Sequence, residues 1–231
     1  MKPFVDKSPS LTALLEECLR PTSHSLVKFQ VRQLAAQEKS RRLFTRLYEK
    51  DPYTFYHSLR VAELVTAFGT HLDFSPEKLI DLCLCALFHD IGKIFTPDSV
   101  LKKPGKLSDE EFIIMKLHPL DSQKLVESVA TLKHLGPWIR CHHERWDGKG
   151  YPDGNKGKDI PLYARMILLA DTYDAMTSTR VYRSNRGPED AYAEIVRCTG
   201  TQFDPTLAPQ FIEAHKKLNE SSILRDRPKA A

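Results

Sequence analysis

The sequence predicts an all-α fold, and three observations lead to that prediction. Apolar residues recur at helical spacing along almost the whole chain of 231 residues. Residues typical of first helical turns mark several helix starts, as at Ser75-Pro76-Glu77 and in a capping box that runs from Ser108 to Glu111. The sequence contains no set of alternating segments that would build a sheet of any size. We therefore expect one compact helical bundle, because this length suffices for a single sizeable core.

The composition is that of an ordinary globular protein, with 41% hydrophobic and 28% charged residues. The net charge of +4 is spread along the chain, which favours a small anionic ligand over a nucleic-acid polymer. No apolar run approaches the ~20 residues of a membrane helix, and the N-terminus lacks the apolar segment of a secretory signal. The five cysteines form an odd set without CxxC spacing. These features predict a cytoplasmic protein with reduced thiols and no membrane insertion.

The N-terminal half of the chain divides at Asp51-Pro52. Helical patterns at 10–20 and 24–49 precede this point and predict a helical extension over residues 1–49. The next predicted helix, 54–71, carries His57 on its apolar stripe. From Pro76 an almost entirely apolar segment predicts a central helix that ends in His89 and Asp90. The main domain is then expected over residues 50–218, followed by a frayed polar tail at 219–231.

The second half of the main domain also has helical periodicity. Helices are predicted at 109–128, 132–144, 161–180, 188–199 and 205–218. Between residues 143 and 161 lies an irregular loop that contains four glycines. The sequence therefore places its longest irregular segment directly after the pair His142-His143.

Three places in the sequence require an explanation in chemical terms. His89-Asp90 ends one apolar run, Asp171 follows another, and His142-His143 precedes the glycine-rich loop. A carboxylate in an apolar environment costs several kcal/mol unless it is paired or bound to a metal. Together with His57, these residues indicate that helices bring polar side chains to one point. Imidazole and carboxylate ligands suit Fe, Mn or Zn better than Mg or Ca.

Each of these residues alone also has a purely structural interpretation. A single inward histidine such as His57 is more often a hydrogen-bonded core residue than a ligand. Asp171 could form a salt bridge with Arg165 or Arg180. The histidine pair would also suit the C-terminal end of a helix, where imidazole complements the helix dipole.

The ordered set of motifs resembles the HD-GYP family, a branch of the HD phosphohydrolases. The resemblance is carried by HDIGK at 89–93 and HHERWDGKGYP at 142–152. The supporting segments follow in the expected order: HSLRV at 57–61, PDSVLKKPGKLSDEE at 97–111, HP at 118–119, ARMILLADTYDAMTSTRVYR at 164–183 and FDP at 203–205. The resemblance extends over roughly residues 50–215 and implies a helical bundle of the HD-domain type.

The resemblance also implies a metal site. Its ligand set in this sequence is His57, His89, Asp90, His118, His142, His143 and Asp171. Asp90 would bridge two divalent ions. His57, His89 and Asp171 would complete one ion, and His118, His142 and His143 the other. The family is associated with iron, with manganese as the alternative.

The activity implied by the resemblance is two-metal hydrolysis of cyclic di-GMP to linear pGpG, in which Asp90 and Lys93 would be catalytic. Lys93 would add positive charge at the phosphoryl group, although a surface pair with Asp98 is an alternative. The expected substrate contacts are Lys93, Arg180, Arg183, Gly150 and Tyr151. Arg180 and Arg183 are equally compatible with a solvated helix end, and Tyr151 with packing onto its own loop.

One position departs from the family pattern. Members with three metals carry a glutamate four residues before the first histidine, and Tyr53 occupies that position here. A tyrosine stays neutral near pH 7, so we expect two metals, and the further step from pGpG to GMP is in doubt.

Two other functions remain open. The chain could be a cyclic di-GMP receptor or adaptor with little turnover, or it could hydrolyse another cyclic dinucleotide such as cyclic GMP-AMP. The resemblance also implies a GGDEF-domain or other signalling partner. It would bind at the GYP loop, which is the loop that contains Gly150-Tyr151-Pro152, or at the N-terminal helices. A homodimer is a further expectation.

Overall fold

A computed structural model describes residues 24–178 and 187–225, with side chains described up to residue 218. The all-α prediction is confirmed over these residues, where the only β-type pairing is an isolated bridge between Thr199 and Phe203. Among the described helices none combines the length and the hydropathy that a bilayer crossing requires. The predicted helix at 10–20 and the candidate residues Arg180 and Arg183 lie outside the described residues.

The described α-helices are numbered here in chain order. They are α1 (Ser25–Ala36), α2 (Glu38–Lys50), α3 (Pro52–His71), α4 (Pro76–Phe88), α5 (Asp98–Leu101), α6 (Asp109–Met115), α7 (His118–Glu127), α8 (Gly136–Arg140), α9 (Leu162–Thr177), α10 (Pro188–Arg197) and α11 (Leu207–Arg225). Short 3-10 turns occur at Ile91–Phe95, Lys133–Leu135 and Gly157–Asp159.

Helices α3 and α4 form the centre of the fold and bring the first two predicted ligand regions together. Helix α3 begins where expected from its chemistry, because Pro52 occupies the first turn and the Asp51 side chain accepts a hydrogen bond from the Thr54 amide. Helices α9 and α11 pack on α3, and one continuous apolar core joins all of these helices. As a result His57, near the start of α3, lies beside His89, just after α4, with ring centroids 5.3 Å apart.

The prediction of one helix over 24–49 is wrong, because the chain breaks at Gln37, whose backbone is extended. The reason is a change of phase in the apolar pattern. Val27, Val31 and Leu34 form the buried stripe of α1, and continuing that stripe would bring Glu38 and Arg41 inward. The break resets the phase, so that α2 buries a new stripe of Ser40, Leu43, Phe44 and Leu47.

The prediction of one helix over 109–128 is also wrong, and Pro119 explains the break between α6 and α7. In a continuous helix Pro119 would have no N–H for the carbonyl of Met115, and its ring would clash with that carbonyl. The chain turns at Lys116 and Leu117 instead, and the Met115 carbonyl accepts a hydrogen bond from Nδ1 of His118 at 2.7 Å. The break therefore orients one of the predicted ligands.

The remaining boundaries differ in ways that affect the candidate site. Helix α4 ends at Phe88, so that Asp90 lies beyond it, and α8 ends at Arg140 rather than at 144. His142 and His143 consequently lie in a turn after a helix and not within one. Helix α9 ends at Thr177, and α11 continues to Arg225 instead of ending at 218. The division into an extension, a main domain and a tail stays a prediction.

Gly92 allows α7 to approach the turn that follows Asp90. A Cβ atom at this position would lie 2.2 Å from the His118 carbonyl oxygen and 2.6 Å from the Ser122 amide nitrogen. The Gly92 amide donates to Oγ of Ser122 at 2.8 Å. Only a residue without a side chain permits this contact, which places His118 next to Asp90.

Candidate metal centre

The predicted ligands converge on the buried carboxylate of Asp90. Its Oδ2 atom lies 3.4 Å from Nε2 of His89 and 3.7 Å from Nε2 of His57. Its Oδ1 atom lies 3.2 Å from Nε2 of His118 and 3.9 Å from Nε2 of His142. The two oxygens of one carboxylate thus face two different pairs of imidazoles, and the site has a His57 half and a His118 half.

Asp171 and His143 complete the cluster at its more exposed edge. Asp171, on α9, places Oδ1 3.1 Å from Nε2 of His57 and Oδ2 3.9 Å from Nδ1 of His143. Asp171 therefore faces both halves of the site, although the resemblance to the HD-GYP family implied a place in the His57 half alone. The two side chains are 16% and 20% exposed, respectively, whereas Asp90 is 1% exposed, so solvent reaches the cluster at this edge.

Three of the histidines are held by the ends of helices. In each of them Nδ1 is 2.7 Å from the carbonyl oxygen of the residue three positions earlier, and the pairs are His89 with Ala86, His118 with Met115, and His142 with Ile139. Carbonyls in the last turn of a helix lack an intrahelical N–H partner. The alternative of a helix cap is thus correct for His142, but the same ring also directs Nε2 at Asp90.

The hydrogen bonds to carbonyls determine the tautomer of these three rings. A carbonyl oxygen can only accept, so the proton is assigned to Nδ1, and in a neutral ring Nε2 carries a lone pair. Nε2 of His118 and Nε2 of His142 are only 3.2 Å apart. Nε2 of His89 and Oδ1 of Asp90 are buried and make no well-formed hydrogen bond to any part of the chain that the structure describes. A cation between these electron pairs removes the repulsion, so the donor set fits a divalent metal.

The electrostatics keep two of these histidines neutral. Burial lowers the pKa of His142 far below its ordinary value, and the neighbouring histidines lower it further. Burial, together with the charge of His118, lowers the pKa of His143 to about 3. Both rings are therefore in the neutral form that binds metal at pH 7.

Lys93 lies directly against Asp90. Its Nζ atom is 2.6 Å from Oδ2 of Asp90, because the 3-10 turn after Asp90 brings the two side chains together. Burial alone would raise the pKa of the Asp90 carboxyl, but the charges of Lys93 and His89 hold it well below its usual range. The alternative pair of Lys93 with Asp98 does not form, since Asp98 pairs with Lys50 and Lys102.

Two residues next to His57 were not identified from the sequence. Oδ2 of Asp174 lies 2.6 Å from Nδ1 of His57, and Arg60 donates to both oxygens of Asp174. Burial acts to lower the pKa of His57, but the hydrogen bonds that its ring donates to the carboxylates of Asp171 and Asp174 raise the pKa to about 9. The spacing contained a signal, because Arg60 and Asp174 each follow a predicted ligand by three residues and so share its helix face.

The structural alternative for Asp171 was a salt bridge with Arg165 or Arg180. Arg165 hydrogen-bonds to Asp204 and not to Asp171, so the alternative salt bridge with Arg165 does not form. Arg180, the other predicted partner, lies outside the described residues.

The GYP loop packs over His143. A Cβ atom at Gly150 would lie 2.4 Å from the Arg145 amide nitrogen, so this glycine is needed for close backbone contact. The amide of Tyr151 donates to the His143 carbonyl at 3.2 Å, and its ring lies over that of His143, with centroids 4.8 Å apart. The rings of Tyr151 and Phe112 are nearly perpendicular, with centroids 6.1 Å apart. Tyr151 therefore borders the exposed edge of the cluster.

A cavity of about 400 Å³ lies next to Tyr53, whose ring stacks on that of His57. Its lining is formed by Tyr53, Tyr56, Arg60, Thr177 and Ser178. The ring of Tyr53 is parallel to that of His57 within 5°, with centroids 6.3 Å apart. An aromatic ring thus occupies the position where the family pattern with three metals has a carboxylate.

Known proteins resemble this chain in sequence and in fold. The family model described as HD domain matches residues 31–207. A protein of Vibrio cholerae named cyclic di-GMP phosphodiesterase is 40% identical in an alignment of 186 residues, and the match covers 73% of this chain and 37% of the relative. A second protein of the same organism, named 3'3'-cGAMP-specific phosphodiesterase 1, is 40% identical over 136 residues, or 59% of this chain and 32% of the relative.

A solved structure has the same fold. A protein from Bdellovibrio bacteriovorus described as an HDG"Y"P protein matches with a TM-score of 0.60 at 18% identity, covering 89% of this chain and 78% of its own. At that identity the match shows likeness of fold alone. The chain spans less than half the length of the two Vibrio cholerae relatives.

Proposed function

The chain belongs to the HD-domain family, and on that premise we propose that it is a metal-dependent phosphodiesterase that opens cyclic di-GMP to linear pGpG. The observation that carries the proposal is the carboxylate of Asp90, whose two oxygens each face a pair of imidazole Nε2 atoms. The Vibrio cholerae relative named cyclic di-GMP phosphodiesterase supports the choice of substrate.

The residues of the cluster would hold two divalent ions, iron by preference and manganese as the alternative. Asp90 would bridge them, with His57 and His89 on one side and His118, His142 and His143 on the other. Asp171, which contacts His57 and approaches His143, is available to either ion. When bound, two such ions supply an activated water and neutralise charge on the phosphate oxygens.

The side chains at the exposed edge would bind and orient the substrate. The Lys93 ammonium, which is 17% exposed, can donate to a phosphate oxygen while it remains beside Asp90. Tyr151 presents an aromatic ring at the same edge, suited to stacking with a guanine. Arg180 and Arg183 remain proposed phosphate contacts on the sequence pattern alone.

We expect two ions per chain rather than three. Tyr53 supplies a phenol in place of a carboxylate, and its ring stacks on His57. A phenol is a poorer ligand for a third divalent ion than the carboxylate of the family pattern. Elemental analysis of anaerobically prepared protein measures this number, and a firm value of three ions per chain would show that the proposal is wrong.

The test of the function is hydrolysis by the whole chain after loading with Fe(II) or Mn(II). We expect cyclic di-GMP to be converted to pGpG, followed by chromatography, with little further conversion to GMP. Fully metallated protein that binds cyclic di-GMP tightly without hydrolysing it would replace the proposed enzyme with the receptor or adaptor.

A second substrate is favoured by a specific observation. The relative named 3'3'-cGAMP-specific phosphodiesterase 1 has the same 40% identity as the relative named cyclic di-GMP phosphodiesterase, over 136 rather than 186 residues. Competition between the two cyclic dinucleotides in one reaction decides between them, because the ratio of products gives the ratio of kcat/KM values. A GGDEF-domain or other signalling partner and a homodimer stay predictions.

A further inference from the structure

One of the four histidines that face Asp90 is anchored differently from the other three. Nδ1 of His89, His118 and His142 each donates to a neutral backbone carbonyl. Nδ1 of His57 instead faces the carboxylate of Asp174 at 2.6 Å. The two halves of the site therefore differ in the charge behind their imidazoles.

Asp174 is itself held rigidly. It is 4% exposed and lies on α9, one turn after Asp171. Arg60 donates from Nε to Oδ1 at 2.6 Å and from a terminal nitrogen to Oδ2 at 3.0 Å. The hydroxyl of Ser178 donates to Oδ1 at 2.9 Å. The guanidinium compensates the buried charge, and the geometry leaves one oxygen aligned with the His57 ring.

When a metal-binding imidazole donates its other N–H to a carboxylate, the ring is oriented more firmly and made more basic than when it donates to a backbone carbonyl. The carboxylate fixes the proton on Nδ1, holds the plane of the ring and makes Nε2 a stronger base. A more basic ligand donates more electron density to its metal, and this stabilises the higher oxidation state of iron.

We infer that Asp174 is a positioning residue that acts through His57 and makes the two ion sites unequal. It orients the His57 ring towards Asp90 and makes Nε2 of His57 a stronger electron donor, so the ion in the His57 half is bound more tightly and has a lower reduction potential. The inference rests on the metal centre of the proposed function.

The test compares Asp174→Asn with the wild type in the full chain. Mn²⁺ binding is followed by electron paramagnetic resonance in the presence of a competing chelator. We expect one of two binding steps to weaken by about 10–100-fold and the other to stay unchanged. In iron-loaded protein the midpoint potential should become more positive, because a negative charge behind the ligand has been removed.

Asp204→Asn is the matched control. Asp204 is 2% exposed and hydrogen-bonded to Arg165, so it is also a buried aspartate with an arginine partner, but it caps the start of α11. We expect this variant to bind Mn²⁺ in two steps like the wild type and to leave the midpoint potential unchanged.

Ser178→Ala provides a second, milder variant with the opposite sign. Loss of the Ser178 hydroxyl leaves the Asp174 carboxylate with one donor fewer and therefore more basic. We expect the midpoint potential to become more negative in Ser178→Ala, opposite to the shift expected in Asp174→Asn. A general loosening of the structure would not shift the potential in opposite directions in the two variants. Unchanged potentials in Ser178→Ala and in any folded Asp174→Asn would overturn the inference. A wild type that binds no Mn²⁺ would instead refute the proposed metal centre.

Discussion

Asp90→Asn is expected to lower kcat/KM for cyclic di-GMP by more than about 10³-fold, which is the largest effect that we predict. The substitution keeps the shape of the side chain but removes the charge that both halves of the site share. An asparagine can direct at most one oxygen at one pair of imidazoles, so it cannot bridge two ions. The bound metal should fall below two ions per chain in the same samples.

The folded state should survive this substitution, which makes the result interpretable. The substitution removes the ion pair with Lys93, so we expect the metal-free variant to melt below the metal-free wild type but to remain folded on its apolar core, which circular dichroism checks. Asp204→Asn again serves as the control and should retain both its metal and its activity. Normal turnover by metal-loaded Asp90→Asn would show that the cluster is not the site of the reaction.

Lys93→Met is expected to have the second largest effect, a decrease in kcat of about 10²-fold with the metal content unchanged. The Lys93 ammonium lies 2.6 Å from Asp90, where it can stabilise the charge that develops on the phosphate. Its removal leaves the anionic ligands in place, so ion binding should be equal or tighter. The measurement is steady-state hydrolysis of cyclic di-GMP together with metal analysis of each preparation.

Lys102→Met is the comparison for Lys93→Met. Lys102 follows in the same segment, is about half exposed and pairs with Asp98 at the surface. We expect no change in kcat for this variant. If Lys93→Met hydrolyses the substrate as fast as the wild type, Lys93 has only a structural role beside Asp90.

The convergence of ligands was predictable because burial and spacing constrain it. A carboxylate at the end of an apolar run needs a partner, and both Asp90 and Asp171 met that condition in the sequence. The resemblance to the HD-GYP family is confirmed by the family match and the relatives. It added His118, which periodicity alone did not identify.

The helix boundaries were less predictable, because local chemistry decides them. The break before His118 follows from the missing N–H of Pro119, and the break at Gln37 from a shift in the apolar stripe. Both features are visible in the sequence, but the apolar periodicity on either side of each break also fits one continuous helix. The predicted helical content was therefore correct, but each of the two long helices predicted at 24–49 and 109–128 is a pair of shorter helices.

The supporting residues of the site could not be predicted from composition. Asp174 and Arg60 are ordinary charged residues on helices, and their roles appear only when α3 and α9 pack together. The two oxygens of Asp90 face different pairs of imidazoles only because α7 brings His118 close, and Gly92 allows this approach. Such contacts join residues that are distant in sequence; the three-residue spacing from a predicted ligand indicates the helix face of Arg60 and of Asp174 but not that the two side chains meet.

The most direct test of the account is the rate of cyclic di-GMP hydrolysis measured against the number of Mn²⁺ ions bound per chain, starting from metal-free protein. The account predicts no hydrolysis without metal and a rate that rises to its maximum when two ions are bound. Hydrolysis at full rate by metal-free protein, or a maximum reached without ions at the Asp90 cluster, would contradict it.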